Sequence, residues 1–453
     1  MNHDSTGNRS LFAATTAFFF GFSAVAVFSP MAFRFSELMF LSPTELGLLI
    51  AAPSLSGSLL RIPFSAWVDT TGGRKPFLIL LSLSIIGMAG LVILTTFYMD
   101  GELTRELYPV VLIIGLLCGC GIATFSVGAS QVSYWFPQSR QGHTLGIYAG
   151  IGNLAPGIFS LLLPMMLIRW DAVTAYSSWL LMLILSVIIY YRTGKNAPYF
   201  QLISQGATNE QAVHLAKKSG QQLFPANNAM QALRISAANQ KTWLLVALYF
   251  TSFGGFIALT AWLPIYWQQL HGVSLVTAGA LTALFATIAS LIRVYGGLIA
   301  DRFGGEKTAV VALLLMFLAS STVAFAYELY LSIIGISLIA LSMGIINAAV
   351  FKLVPKEIPE SIGGAVGWVG GFGAFGGFII PLLIALPIQF NGDNPTSYAC
   401  NRPDLRRRSF DRHQNNTRAQ FKSALANRSG APFFSKRFKS LVVLSKPVAE
   451  AET

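Results

Sequence analysis

Acidic side chains are scarce in this chain of 453 residues, and they are missing from its apolar stretches. Asp and Glu number 19 against 31 Lys and Arg, and each carboxylate falls in a loop, a terminus or the C-terminal tail. Cysteine is scarcer still. Cys118 and Cys120 sit in an apolar stretch and Cys400 lies far downstream, which matches neither a disulfide framework nor metal-ligand spacing. The five histidines (His3, His143, His214, His271, His413) are scattered as well, so no metal site, cofactor or enzyme activity is expected. The first apolar stretch lacks a small-residue cleavage site and is too long for a signal-peptide core, so it is expected to remain as the first helix.

What the chain has in abundance is apolar surface. It is 54% hydrophobic and 11% charged, carries 34 Phe, and has a mean hydropathy of +0.59, which suits a polytopic membrane protein. Hydropathy predicts helices near 11–33, 45–68, 77–97, 108–130, 143–168, 173–191, 242–265, 276–299, 308–326, 329–351 and 363–388, each close to the ~20 apolar residues that cross a bilayer. The fold class is therefore an all-α polytopic membrane protein. With the N-terminus inside, fourteen Lys and Arg adjoin the spans on the cytoplasmic side and only Arg34, Arg105 and Arg169 on the other. This asymmetry accounts for much of the +12 net charge without nucleic acid, whose partners need clustered basic and aromatic residues.

The chain divides into an N-terminal six-helix half (1–191), a polar central cytoplasmic loop (192–241), a second half (242–390) and a basic tail (391–453). The tail holds twelve Lys or Arg and five Asp or Glu and no apolar run long enough to span, so a twelfth helix is expected to be missing or aberrant and the segment to be poorly ordered.

The halves share a repeat. Leu60 to Lys75 reads LRIPFSAWVDTTGGRK and Ile292 to Lys307 reads IRVYGGLIADRFGGEK. In each copy an arginine inside an apolar helix, Arg61 or Arg293, precedes by eight residues an aspartate, Asp69 or Asp301, that begins a Gly-Gly turn. The second copy carries the loop signature G-x-x-x-D-R-x-G-G-x-K, with Arg302 after the aspartate. Eight residues at ~1.5 Å each put the guanidiniums about 12 Å from the helix ends, beyond easy snorkelling. An intramembrane arginine costs ~2.5–3.5 kcal/mol, which marks it as functional by default. Two at matching depth, with no carboxylate to neutralise them, call for an external anion, and a planar oxyanion fits the guanidinium fork.

Two glycine-dense runs stand at equivalent places in the halves: A-G-I-G-N-L-A-P-G (Ala149 to Gly157) and G-G-F-G-A-F-G-G-F-I-I-P (Gly370 to Pro381). Gly150, Gly152, Gly373, Gly376 and Gly377 are expected to serve close packing and gating. Asn153 offers an amide to an anion.

In these motifs, and in F-K-L-V-P of the tenth helix, the sequence resembles the nitrate/nitrite porter family of the major facilitator superfamily over about residues 11–388. The resemblance implies two six-helix halves around a central site in which Arg61 and Arg293 clamp the anion, Asn153 contacts it, and Phe125, Tyr249 and Phe253 enclose it. The family usually has Gly where Ala155-Pro156 follows the G-N run. Implied further are alternating access with nitrate/nitrite exchange, nitrate and nitrite as ligands within the lipid bilayer, a monomer, and a bacterial inner-membrane location. Proton-coupled nitrate symport, an organic-anion facilitator and an inactive product of the altered C-terminus are the alternatives.

Overall fold

The computed structural model describes residues 3–99, 103–225, 229–326, 328–358 and 362–390. The tail at 391–453, with the expectations about its order and about a twelfth helix, lies outside the described residues. Among these residues there is no strand, and eleven helical segments are long and apolar enough to cross a membrane. They are α1 (Ser5–Met39), α2 (Pro43–Thr71), α3 (Arg74–Phe97), α4 (Arg105–Trp135), α5 (Thr144–Arg169), α6 (Ala172–Thr193), α7 (Gln240–His271), α8 (Leu275–Ala300), α9 (Gly305–Ala324), α10 (Leu329–Val354) and α11 (Gly364–Ala385). Hydropathy finds all eleven because a backbone in hydrocarbon must satisfy its own hydrogen bonds, and a helix does so within one segment.

Local sequence sets several of the boundaries. Ser42 and Glu45 form a reciprocal capping box at the start of α2, with bonds of 2.8 and 3.3 Å. Asp171 caps α6 by accepting from the Thr174 amide at 2.6 Å, and Ser274 caps α8 by accepting from the Thr277 amide at 3.1 Å. The repeated Gly-Gly turns begin later than the sequence suggested. The α2 helix runs past Asp69 to Thr71, and α8 continues helically past Asp301 to Phe303. The chain turns at Gly72 (φ 76°) and Gly304 (φ 90°), because these are left-handed positions that a side chain disfavours.

The central segment contains three short helices, Pro198–Ser204, Asn209–Lys218 and Ala229–Ala238. The first docks through Phe200, which lies edge-on to Tyr134 at 5.1 Å, and the third is held by the Trp368 indole N–H donating to the Leu233 carbonyl at 2.9 Å. The linker is thereby attached to α4 of one half and α11 of the other.

Several spans are interrupted in mid-membrane. One helical stretch of α2 ends at Leu59 and the next begins at Arg61, and α4 tightens into a 3₁₀ turn at Cys120–Ala123. The helix of α5 ends at Asn153 and restarts at Ala155, just before Pro156, which has no N–H to donate. A π-turn at Phe250–Gly254 widens α7, and α11 breaks at Phe375. The α8 and α10 helices stay continuous through the same depth. Broken helices inside a bilayer are tolerated where they line a protein-enclosed site.

Across the halves, α2 packs on α11 and α5 on α8. The second contact brings backbones together. A Cβ added at Gly279 would stand 2.2 Å from the Ser160 carbonyl oxygen, and one at Gly157 2.5 Å from the Ala286 Cβ.

Candidate anion site between the halves

The irregular turns of α2, α4 and α7 meet at the two arginines. Arg61, at the restart of α2, is fully buried. It does not snorkel: its guanidinium donates to the Ile122 carbonyl at 3.4 Å, which the 3₁₀ turn of α4 turns inward, and to the Gly370 carbonyl of α11 at 3.2 Å. Its Nε–H has no partner. Arg293 on α8 is part-buried and donates to the Tyr249 hydroxyl at 3.2 Å. Among the described residues neither arginine forms an ion pair.

Aromatic rings take up the space between the cations. The Arg61 guanidinium carbon lies 5.0 Å from the Phe125 ring centre and 5.3 Å from that of Phe253, while Arg293 lies 5.7 Å from Phe253 and 5.8 Å from Phe351. Phe253 is thus shared by both arginines. Tyr249 stacks on it at 4.9 Å, and Phe351 meets Tyr249 edge-on at 5.1 Å. Ring quadrupoles stabilise a desolvated guanidinium by ~2 kcal/mol each without cancelling its charge, so the cations remain available to an anion. The two arginines occupy matching positions in the repeat but differ in burial. Only Arg61 is sealed, because the break in α2 lets α4 and α11 carbonyls close on it. Through the Gly370 carbonyl, Arg61 also bonds across to the other half.

Asn153 is buried at the α5 break, and its side-chain oxygen lacks a partner. Its backbone carbonyl accepts from the Ser290 hydroxyl of α8 at 3.2 Å. Asp69 accepts from the Tyr134 hydroxyl at 2.7 Å, and Arg302 lies 5.4 Å from the Phe303 ring. The loop signature therefore serves the helix ends and not the arginine cluster; the Asp301 side chain is outside the described residues.

Four of the five singled-out glycines pack closely. Added Cβ atoms would stand 2.0 Å from Phe18 at Gly152, 2.5 Å from Tyr249 at Gly373, 2.5 Å from the Phe250 carbonyl at Gly376, and 2.6 Å from Ile257 at Gly377. The glycines of α11 thus let it press against the π-turn that carries Tyr249 and Phe253. Gly150 is a correction: a Cβ there would meet nothing within 4 Å, so it serves no close contact. Gly376→Ala is therefore expected to lower stability by ~2 kcal/mol through backbone overpacking. Gly150→Ala should raise it by up to ~1 kcal/mol through helix propensity. Melting of the two variants in detergent would check both, and equal shifts would refute the contrast.

Sequence reasoning missed Phe351, although it stands in the F-K-L-V-P run that was singled out. It also missed the Ser252 hydroxyl at 2.8 Å from the Asn347 side-chain oxygen, which fastens the π-turn to α10. The carbonyls of Ile122 and Gly370 left no signal, since any residue supplies one.

The chain is 25% identical over 394 residues to a probable nitrate transporter NarT of Staphylococcus epidermidis, covering 86% of this chain and 92% of the relative. It is 28% identical over 417 residues to a probable nitrate/nitrite antiporter NarK1 of Thermus thermophilus, covering 85% and 86%. Among solved structures it is similar to the inward-open xylose transporter XylE of E. coli, with TM-score 0.64, 14% identity and coverage of 86% and 91%. It is also similar to the human organic anion transporter MFSD10, with TM-score 0.57, 16% identity and coverage of 87% and 96%. At these identities the solved structures speak to fold alone. The model of the Major Facilitator Superfamily matches residues 11–381, so this multi-pass membrane protein, with its broken helices and paired halves, belongs to the Major Facilitator Superfamily of transporters.

Proposed function

We propose that the chain carries nitrate and nitrite across the membrane by alternating access, exchanging one for the other. The observation that carries this reading is the arginine pair around Phe253, held by carbonyls, a phenol and rings, with no carboxylate partner among the described residues. Such a site has an affinity for anions and offers no protein anion to satisfy it. A small planar oxyanion stacks on a phenyl ring and accepts bidentate hydrogen bonds from a guanidinium. The names of the curated relatives, a nitrate transporter and a nitrate/nitrite antiporter, support the same ligand class.

In mechanism, Arg61 and Arg293 approach the anion from opposite halves, so a bound anion links α2 to α8. Asn153 and Tyr249 supply further polar contacts, and Phe125 and Phe253 exclude water. Bringing two guanidiniums close without an anion is unfavourable, so reorientation is coupled to occupancy, which is the condition for exchange. The glycine contacts of α5 with α8 let the halves close on one side of the site. Proteoliposomes loaded with nitrite or nitrate are expected to take up labelled nitrate, while empty ones take up almost none. Concentrative uptake into empty vesicles under a pH gradient alone would establish symport instead.

A further inference from the structure

Ser290 is a buried hydroxyl of α8 that does not behave like its neighbours. Thr282 on the same helix bonds back to the Ala278 carbonyl four residues earlier at 2.8 Å, as do Thr260 to Phe256 at 2.7 Å and Ser342 to Leu338 at 2.8 Å. That back-bond is the ordinary way for a hydroxyl in a membrane helix to satisfy itself. The Ser290 hydroxyl reaches instead across the boundary between the halves to the Asn153 carbonyl.

Its position makes the bond consequential. Ser290 lies one helical turn from Arg293 on one side of the site, and its acceptor is the backbone of Asn153 on the other. The acceptor is also the last residue of the first helical stretch of α5, immediately before the break at Leu154 and the restart at Ala155. We infer that Ser290 is a positioning residue: by holding the Asn153 carbonyl it fixes the break in α5, aims the Asn153 amide into the site and ties that aim to Arg293. The residues beside it on the outer part of this helix pair, Gly157 with Ala286 and Gly279 with Ser160, meet by packing alone, so the hydroxyl adds direction to a contact that otherwise has none.

The inference rests on the anion-exchange reading for its functional half and on geometry for its structural half, and the test separates the two. In ligand-free protein, hydrogen–deuterium exchange of the peptide covering 150–158 should speed up in Ser290→Ala and stay near wild type in Ser290→Thr, which keeps the hydroxyl. In proteoliposomes Ser290→Ala should raise the half-saturating nitrate concentration by about five-fold, the worth of one hydrogen bond, with a maximal exchange rate within about two-fold of wild type. Ser290→Thr should recover most of the affinity. Unchanged protection in Ser290→Ala would overturn the tether, and so would equal deprotection in both variants, which would indicate packing. Lost protection with unchanged half-saturation would overturn the positioning role. If the wild type moves neither nitrate nor nitrite, it is the substrate reading that fails, and the exchange measurement still judges the tether.

Discussion

Arg61→Lys and Arg293→Lys are each expected to abolish nitrate exchange while leaving a folded protein. A lysine retains the charge but cannot present two parallel N–H donors to a planar anion, and losing a charge-assisted hydrogen bond costs about 1.5–3 kcal/mol, or roughly 10–150-fold in affinity. The effect should be larger at Arg61, where the guanidinium also donates to the carbonyls of Ile122 and Gly370 and lies over Phe125 and Phe253. A lysine ammonium cannot reach both carbonyls and stack on a ring, so that position loses the anion contact together with its own support. Nitrate binding to purified protein, followed by its melting temperature in detergent, separates loss of ligand from loss of fold. Near-normal affinity in Arg61→Lys would refute the clamp.

Gly279→Val is expected to stop transport by a different route. The residue meets the Ser160 carbonyl across the α5–α8 contact, and a backbone oxygen cannot swing aside as a flexible side chain does. Overpacking of this kind costs about 3 kcal/mol, enough to disfavour the closed contact by on the order of 100-fold. The proposed alternating access requires the two halves to separate at this contact in the opposite-facing state, so each half should still fold. Exchange should fall steeply with little change in yield, and a cysteine placed along α5 or α8 at this contact should become more reactive to a polar thiol reagent than in the parent chain. Rates close to wild type would show that the α5–α8 contact takes no part in the cycle.

The eleven spans were legible from hydropathy because lipid leaves the backbone no alternative partner. The arginine pair was legible because charge at that depth is costly and rare. Resemblance led to Phe125, Tyr249 and Phe253, and the structure brings these rings together around the cations. What the sequence hid is the backbone's share. No residue type announces that the Ile122 and Gly370 carbonyls face Arg61, that a π-turn at Phe250–Gly254 sets Tyr249 and Phe253 side by side, or that Gly150 faces open space while Gly152 meets Phe18. The unequal burial of the two arginines was hidden for the same reason. The repeat places them at equivalent positions in the chain, but only α2 breaks there, and that break decides which carbonyls close in.

The central claim is that one anion is gripped by both arginines. The most direct measurement is the structure of the protein saturated with nitrate. The account predicts planar density stacked against Phe253, within hydrogen-bond reach of both guanidiniums and of Asn153, with the free Nε–H of Arg61 now donating to it. Nitrate held by only one arginine, or bound away from Phe253 while Arg61 keeps only the Ile122 and Gly370 carbonyls, would contradict it.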